Sequence, residues 1–540
     1  FAPVQGFIEK SRKLRDLYGA SIILSYLSQK IVEEFHHPPD LEVISPALIH
    51  VQEGMPNRIL IRGYVERTHV QNTLLKHWQH LLTVCRIWVE ENVPADYHWA
   101  QKSEQVDQEK GEWERWGSYA WEVFWGKGDS PNAAMKDLET RKLKRDWTAI
   151  NWMGESSSLS GMDAIAWHRL GDKDLVRRDL KGELTSTDRQ ELKQELDDFY
   201  LRLSEALEED PSENLPQGKF LRLNERLSIP ELAKRLVTRY QGIGEHLGET
   251  FKIDSFSEMV RMPEPGQSGH WTGWFMGDGD KVGDHLKGLA AETELKEFSQ
   301  AMRKWGKDFK KNFDKDLGRV VYAGGDDFMG VIYSDKPHSP ISKSKALDWL
   351  TKLNSQWKTH GQPINLSVGF VWAGHSVPQR DVLQHCREAE KRAKSLGRDR
   401  VTIRVLFNSG QYVQWTCPWD YLDILTKYHD RNHRDQVTPA GDQNWNHLYS
   451  DWEALKARHA IQLKLLKKGR EVNEDAAGLD VAIELFNLYF AKEGDRIESE
   501  RLWEHLVNEA DGHVVTNYEK VNWLNDLVQV GWQLCRNSSL

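Results

Sequence analysis

The sequence predicts a multidomain protein of the α+β class, and three observations lead to this prediction. The chain has 540 residues, more than one domain usually contains. Residues 271–406 alternate between short apolar runs typical of strands and amphipathic stretches typical of helices. Long stretches on both sides of this region carry apolar residues every three or four positions. We therefore expect an αβ core accompanied by helical domains.

The N-terminal region predicts one helix followed by two strands. Apolar residues recur at helical spacing through residues 7–35, after the opening "APVQG". The segments "LEVISPALI" and "NRILIRGYV" then indicate two short strands, separated by the turn residues "EGMP" at 53–56. Residues 75–260 are predicted to be mainly helical, with a solvated acidic loop at 204–218.

A second αβ region follows the Pro- and Gly-rich segment at 262–270, which indicates a domain boundary. Its predicted elements are a strand at 271–280, one long amphipathic helix, a hairpin at 320–333, a helix near 341–357, a strand at 364–373, a helix at 381–397 and a last strand at 400–406. This order is typical of a ferredoxin-like αβ sandwich with additions. From about residue 416 onward the sequence again predicts helices, the clearest at 475–494.

Composition narrows the class of protein. The net charge of −10 argues against a chain that coats nucleic acid with its whole surface, although local Lys and Arg clusters keep RNA contact open. The four Cys form no CxxC pair, so neither a zinc cluster nor a disulfide framework is predicted. The 23 Trp could stack on nucleobases, but Trp more often fills a core. No apolar run is long enough to span a membrane, so we expect a cytoplasmic protein without a membrane partner.

Three aspartates mark the predicted site of chemistry. Asp278 ends the first strand of the second αβ region, while Asp326 and Asp327 lie on the hairpin turn in "YAGGDDFMG". A strand end and a hairpin tip can converge in an antiparallel sheet, so we expect the three carboxylates to share one small space. Such oxygen ligands suit two Mg²⁺ or Mn²⁺ ions, the arrangement that nucleotidyl transfer uses. Gly324 and Gly325 would let the backbone approach a bulky nucleotide.

The alternative interpretation of the same turn is a polar hairpin tip without chemistry, because Gly and Asp are common turn formers. Two neighbouring features favour the metal site. The preceding strand ends in "DGD" at 278–280, and the basic segment "AEKRAKSLGRDR" at 389–400 places Lys394 and Arg398 where they could reach a phosphate.

Four segments, "MGDGDKVG", "YAGGDDFMGVIY", "LSVGF" and "AEKRAKSLGRDRV", resemble the GGDEF and palm-type nucleotidyl cyclase superfamily. The opening segment, with "ISPALI" and "PNRILIRG", is similar to the degenerate first palm of one branch, the large polymerase/cyclase subunit of type III-B CRISPR effector complexes, or Cmr family. The resemblance implies two ferredoxin-like palm domains plus helical domains. Its implied divisions are a first palm at 1–140, a helical connecting domain at 141–265, a second palm at 266–415 and a C-terminal helical domain at 416–540.

The resemblance also implies a function. The chain would be the large subunit of an RNA-guided complex in which target RNA activates the second palm. That palm would act as a metal-dependent nucleotidyltransferase and convert ATP into cyclic oligoadenylate, a second messenger in antiviral defence. The implied partners are CRISPR guide RNA, target RNA and the other Cmr-type subunits, including the small helical subunit.

The roles of individual residues follow by position from the resemblance. The implied catalytic and metal-binding residues are Asp278, Asp326 and Asp327. The implied nucleotide-binding residues are Gly324, Gly325, Lys394 and Ser367. Asp280 is a further acidic candidate. The first palm carries no GGDD of its own and would hold an acceptor nucleotide.

Two departures from the family pattern limit the implied function. Many relatives carry an HD nuclease domain before the first palm, whereas this chain begins at that palm, so HD nuclease activity is not expected. Relatives also show a CxxCGE zinc element where this chain has "AINWMGE", with Ile150 and Met153 in place of the thiols. Structural zinc is therefore not expected.

Three alternative functions stay open. The same metal site could join AMP to another acceptor, such as S-adenosylmethionine. The chain could instead be a non-catalytic RNA-binding scaffold, although a scaffold has no physical need for clustered carboxylates. A diguanylate cyclase acting on GTP as an isolated dimer is less favoured, because the chain carries a first palm and large helical additions.

Overall fold

The structure is a computed structural model that describes most of the chain. The residues outside this description are 37–39, 48–53, 55, 100–110, 145–149, 151, 153, 209–219, 223, 249–250, 253–258, 262–267, 290, 337, 430–444, 464–476, 491–499, 511 and 536–540. The acidic loop predicted at 204–218 and the boundary predicted at 262–270 lie largely outside the described residues. The segment "AINWMGE" lies partly outside them.

The chain divides into two compact units. Unit 1 comprises residues 1–258 and 286–303, and unit 2 comprises residues 259–285 and 304–540. Each unit has its own hydrophobic core. The finer division into four domains stays a prediction.

Unit 1 is mainly helical in its described part, as the sequence predicts. Its helices are α1 (Val4–Glu9), α2 (Leu14–His36), α3 (Arg67–Asn92), α4 (Glu112–Tyr119), α5 (Pro131–Arg141), α6 (Lys173–Leu180), α7 (Ser186–Leu207), α8 (Ile229–Leu236) and the short α9 (Glu245–Leu247). The two strands predicted near the N-terminus are confirmed as β1 (Glu42–Ser45) and β2 (Leu60–Arg62), which pair antiparallel.

The prediction of one continuous helix through residues 7–35 is wrong, because this region forms two separate helices, α1 and α2. The break has a local cause. The Asp16 carboxylate accepts hydrogen bonds from the backbone N–H groups of Arg12 at 2.8 Å and Lys13 at 2.9 Å. These groups precede the first turn of α2, and the Asp16 side chain within that turn accepts from both, so the contact favours a new helix start.

A buried ion network joins α2 to α8 in unit 1. Arg235 donates to both carboxylate oxygens of Asp16, at 2.9 and 3.0 Å, and to Glu225 at 2.7 Å. All three residues are almost completely buried. Burial opposes the charged form of Asp16, but the Arg235 guanidinium holds the pKa of Asp16 below its usual value. The network therefore keeps its charges inside the core because each charge has a partner.

Unit 2 is built on one six-stranded sheet. Its strands are β3 (Thr272–Gly279), β4 (Gly318–Ala323), β5 (Asp327–Ile332), β6 (Leu366–Ala373), β7 (Arg400–Leu406) and β8 (Tyr412–Pro418). They lie in the order β4-β5-β3-β6-β7-β8, antiparallel except for the parallel pair β6-β7. The predicted αβ order is confirmed for every strand from β3 to β7.

The other elements of unit 2 are helical. The main ones are α12 (Lys343–Trp357), α13 (Gln379–Ser395), α14 (Asn446–Ala457), α15 (Leu479–Phe490), α16 (Glu500–Val507) and α17 (Asn517–Cys535). Two further helices, α10 (Val282–Gly288) and α11 (Glu292–Asn312), cross the division between the units. Among the described residues, every helix is too short or too polar to span a lipid bilayer.

One face of the sheet packs an aromatic cluster. Phe275 of β3 contacts Trp349 of α12 with ring centroids 4.4 Å apart. Trp305 of α11 stacks on Phe309 at 4.9 Å and meets Trp357 edge-on at 4.6 Å. Such pairs add about 0.5–1.5 kcal/mol each beyond the area they bury. This cluster fixes one side of the strands whose other side carries the candidate site.

The opposite face of the sheet packs against α13. The contact is close because Gly369 of β6 has no side chain: a Cβ there would lie 2.2 Å from the Cys386 carbonyl oxygen and 2.5 Å from the Glu390 nitrogen. Ala389 and Ala393 of the same helix are fully buried. Small residues on both sides therefore bring the α13 backbone almost onto the sheet.

Two predictions for unit 2 are wrong. The long helix after β3 is in fact α10 and α11, and the Glu294 carboxylate accepts a hydrogen bond at 3.1 Å from the Ala291 N–H just before α11 begins. The strand predicted to be last, β7, is followed by β8, although helices were predicted from about residue 416. β8 is an edge strand whose first part is exposed, and its Val413, Trp415 and Cys417 alternate with polar residues as in a half-buried strand.

Candidate functional site

The candidate site lies where β3 ends and β5 begins. Asp278 of β3 stands directly opposite Asp327 of β5 in the antiparallel ladder. On its other side, Asp278 stands opposite Ser367 of β6. Residues directly opposite in a ladder point to the same face of the sheet, so these three side chains share the face that α13 covers. The structure thus brings together side chains that lie up to 89 positions apart in sequence.

The hairpin tip lies beside the end of β3. The Gly279 N–H donates to the Asp326 carbonyl oxygen at 2.8 Å, which continues the ladder beyond the strands. The Gly324 N–H donates to the Asp327 carbonyl oxygen at 2.9 Å and closes the turn. Gly325 has φ +143°, a conformation that L side chains rarely adopt. Asp278, Asp326 and Asp327 therefore occupy adjacent positions where β3 ends and β5 begins.

Two charged side chains of α13 meet the end of β3. The Lys394 ammonium contacts the Asp278 Oδ2 and, at 2.5 Å, the Glu390 Oε1 one helical turn earlier. Burial opposes the charge on Lys394, but the carboxylates of Asp278 and Glu390 outweigh it and raise the Lys394 pKa. Burial raises the pKa of Glu390, while its hydrogen bond with Lys394 opposes that shift. One cation thus bridges an acid of the sheet and an acid of the helix.

Asp280 and Ser367 form a second, buried contact next to the strand end. The Ser367 hydroxyl donates to the Asp280 Oδ1 at 2.7 Å. The Asp399 backbone N–H donates to the other Asp280 oxygen at 2.9 Å. Burial raises the pKa of Asp280, and both hydrogen bonds oppose the shift. Asp280 therefore ties the end of β3 to β6 and to the loop after α13.

The electrostatics of the hairpin tip reflect crowded negative charge. Desolvation among the strand ends, together with the charges of Asp326 and Asp278, raises the pKa of Asp327 to about 7. The Asp327 side chain is exposed, so desolvation acts on it less strongly than on a buried acid. We therefore attribute the raised pKa of Asp327 mainly to repulsion by the charges of Asp326 and Asp278. Burial, with the charges of Asp327 and Asp278, also raises the pKa of Tyr322 on β4. A cation would relieve this repulsion.

The identity of these groups fits a divalent metal ion, because carboxylate oxygens are the ligands that Mg²⁺ and Mn²⁺ prefer. Their present arrangement is not closed around an ion. Within the described part of the chain, no three His, Cys, Asp or Glu side chains stand close enough together to hold one. Asp278 is engaged by Lys394 instead.

The predicted residues reach the site to different degrees. Asp278, Asp326, Asp327, Gly324, Gly325 and Lys394 all lie at the strand end or the facing helix end. Ser367 lies beside them but is fully buried, and its hydroxyl is committed to Asp280. Their roles with metal and nucleotide stay predictions.

Sequence reasoning missed Glu390, Tyr322 and Asp399. Glu390 stands four positions before Lys394, which is the spacing of an ion pair on a helix, so it could have been found. Tyr322 follows the alternating pattern of β4, but its neighbours depend on the sheet order. Asp399 contributes its backbone, which a side-chain pattern cannot show.

The fold and the site define a class of protein. A mixed sheet with a ferredoxin-like core, a carboxylate at the end of its first strand and a Gly-Gly-Asp-Asp hairpin is a palm domain. Residues 272–402 match the family model of the Cas10/Cmr2 second palm domain, and residues 1–78 match that of the N-terminal region of the CRISPR-associated protein Cmr2. The matched regions, 131 and 78 of the 540 residues, are therefore domains of the Cas10/Cmr2 type.

Solved structures show remote similarity. A type III-B Cmr-β complex in the apo state has a chain with 10% identity and a TM-score of 0.46, covering 98% of this chain and 81% of that one. A Csm1–Csm4 cassette with one ATP gives 14% identity and a TM-score of 0.44, with 99% and 69% covered. Csm1 of T. onnurineus gives 16% identity and a TM-score of 0.31, and the match covers 50% of this chain and only 37% of Csm1. No curated protein matches the chain.

Proposed function

We propose that the chain is the target-RNA-activated nucleotidyltransferase of a type III-B CRISPR complex and converts ATP into cyclic oligoadenylate in antiviral defence. One observation carries the proposal: Asp278 stands directly opposite Asp327, beside the Gly-Gly-Asp-Asp turn, on the face that receives Lys394. The match of residues 272–402 to the Cas10/Cmr2 second palm domain supports the same reaction class. Guide RNA, target RNA and the other Cmr-type subunits are the partners that this proposal requires.

The carboxylates have one task in this reaction. Asp278, Asp326 and Asp327 would hold two Mg²⁺ or Mn²⁺ ions, because they are adjacent oxygen ligands that otherwise repel one another. When bound, the ions would supply activation of the attacking hydroxyl and stabilisation of the leaving pyrophosphate.

The remaining residues bind and orient the nucleotide. The Gly324–Gly325 turn has no side chains, so its backbone can approach the phosphates closely. Lys394 would contact the triphosphate, for which its ammonium is a compact donor. Asp280 is held by Ser367 and by the Asp399 N–H, and it therefore keeps the end of β3 in a fixed place.

The test uses the complex reconstituted with guide RNA, with and without matching target RNA. Labelled ATP is supplied with Mg²⁺ or Mn²⁺, and the products are identified by mass spectrometry. We expect target-dependent cyclic oligoadenylate that is lost in Asp326→Ala/Asp327→Ala. Asp335→Ala, an exposed aspartate in the loop after β5, is the matched control and should keep the activity.

The same experiment separates the alternative functions. A parallel reaction contains S-adenosylmethionine, and an adenylated conjugate there would keep the metal site but change the acceptor. Absence of any nucleotide product from the assembled, target-bound complex would contradict the proposal and favour a scaffold.

A further inference from the structure

The ion pair between Lys394 and Asp278 poses a chemical conflict with the proposed reaction. The Lys394 ammonium contacts Oδ2 of a carboxylate that the proposed function assigns to a metal ion. An ammonium and a divalent ion that share one carboxylate oxygen repel each other over a few ångströms. The two cations therefore cannot both bind Asp278 without a cost.

Glu390 offers Lys394 a second partner. It lies four residues before Lys394 on α13, and its Oε1 is 2.5 Å from the ammonium. Glu390 is the more buried of the two acids, with 14% of its side chain exposed against 32% for Asp278. Lys394 can therefore give up Asp278 and still keep a charge partner, which avoids the cost of an unpaired, partly buried charge.

The position of this pair is fixed by the fold. The α13 backbone at Glu390 lies against Gly369, where even a Cβ would be only 2.5 Å from the Glu390 nitrogen. Gly369 and Ser367 lie on the same face of β6, and Ser367 stands opposite Asp278. The helix therefore presents Glu390 and Lys394 to the end of β3 from a rigid support.

We propose that Lys394 competes with a divalent cation for the Asp278 carboxylate, and that Glu390 is the positioning residue that keeps Lys394 in the site for a nucleotide phosphate. This inference rests on the proposed function, because it assigns a metal and a nucleotide to the same carboxylates. Lys394 neutralises Asp278 when no other cation binds it. Once Asp278 is taken by a metal ion, Lys394 remains on Glu390 and donates to the phosphate.

The first test measures metal binding without nucleotide, so it does not depend on turnover. Mn²⁺ is titrated into the full-length chain, and free Mn²⁺ is followed by its electron paramagnetic resonance signal. Lys394→Met should tighten Mn²⁺ binding by about tenfold, because the competing charge is removed. Lys394→Arg keeps the charge and should stay within about twofold of the unmodified chain.

The matched control is Lys391→Met, an exposed lysine on the same helix. It removes the same charge without removing the contact and should change Mn²⁺ affinity by less than about twofold. If Lys394→Met tightens Mn²⁺ binding no more than Lys391→Met does, competition for Asp278 is ruled out.

The second test asks whether Glu390 acts through Lys394. In the presence of Mn²⁺, binding of an ATP analogue with an uncleavable α–β phosphate bridge is measured by calorimetry. Lys394→Met should weaken it by about tenfold and Glu390→Gln by about fivefold. The double variant should be no weaker than Lys394→Met alone, which is the signature of two residues acting as one unit. Glu388→Gln on the same helix is the control.

Additive effects of the two substitutions would overturn the positioning role of Glu390. Failure of the proposed function has a different signature: cyclic oligoadenylate would be absent while the Mn²⁺ results still hold. The two ideas are therefore tested separately.

Discussion

At the scale of single residues, a buried polar contact helps to hold the site in place. Ser367 is fully buried, and its hydroxyl donates to Asp280, which is 7% exposed. The contact lies two positions beyond Asp278, on the same strand end. The position of Asp278, a candidate metal ligand, thus depends on the nearby contact between Ser367 and Asp280, which need not touch metal or nucleotide.

Ser367→Ala should destabilise the protein by about 1–3 kcal/mol, because it leaves one buried oxygen of Asp280 without its donor. Urea unfolding followed by Trp fluorescence measures this effect. Ser395→Ala, at an exposed serine of α13, should change stability by less than about 0.5 kcal/mol. Equal stability of the two variants would show that the Ser367 contact does not hold the strand end.

At the scale of elements, the sequence predicted the sheet better than its surroundings. The strands β3 to β7 were predictable because they are short apolar runs bounded by Gly, Asp and Pro. The edge strand β8 could have been predicted, because Val413, Trp415 and Cys417 alternate with polar residues. The helix breaks before α2 and α11 were missed because Asp16 and Glu294 accept backbone hydrogen bonds there. These hydrogen bonds favour a helix start at a point where the apolar pattern predicts that one helix continues.

The candidate site shows the same limit. Asp278, Asp326 and Asp327 could be placed together because strand ends and hairpin tips meet by topology. The bridge from Lys394 to Asp278 and Glu390 could not be placed, because it depends on how closely α13 approaches β6. That distance is a packing property of two elements, which a sequence pattern does not contain.

The helix α17, whose Trp523 donates to the Thr416 carbonyl of β8, carries a titrating group. Burial raises the pKa of Asp526 to about 7 from its ordinary value of 3.8, although Arg392 and Asn525 oppose the shift. Because its pKa is raised in the folded state, ionisation of Asp526 destabilises the fold; this destabilisation is absent below about pH 4 and grows as the pH rises through about 7.

Asp526→Asn should therefore raise the melting temperature, with a larger gain at about pH 8 than at about pH 4. Differential scanning fluorimetry at the two pH values measures the difference. Asp308→Asn, at an exposed position of α11, is the control and should show the same change at both values. A gain for Asp526→Asn that does not depend on pH would contradict this assignment.

At the scale of the whole molecule, each unit has aromatic pairs in its core. Unit 1 contains the Trp78–Trp121 pair as well as the charged network of Arg235, Asp16 and Glu225, and unit 2 contains the sheet and its aromatic cluster. The 23 Trp of the chain serve mainly such cores. Nine of them are among the largest fully buried side chains: Trp78, Trp99, Trp274, Trp357, Trp372, Trp415, Trp445, Trp452 and Trp503. Those nine cannot stack on nucleobases in the folded protein.

Arg235→Met should cost unit 1 about 3–5 kcal/mol, because Asp16 and Glu225 are left buried without their cation. Hydrogen exchange detected by mass spectrometry should show the loss of protection first in α2 and α8. Arg189→Met is the matched control: its ion pair with Asp179 is exposed and should contribute about 0–1 kcal/mol. Unchanged protection in α2 and α8 would mean that the network adds nothing to stability.

The close contact between Gly369 and α13 has one more consequence, for how this site can change in evolution or in the laboratory. A residue with any side chain at position 369 would push the helix away from the sheet, since its Cβ would meet backbone atoms at 2.2 and 2.5 Å. The Lys394 ammonium would then no longer contact Asp278, although every charged residue of the site would still be present. A comparison of related proteins by their acidic and basic residues alone would score such a variant as intact, while the geometry of its candidate site had been lost through the addition of a single methyl group.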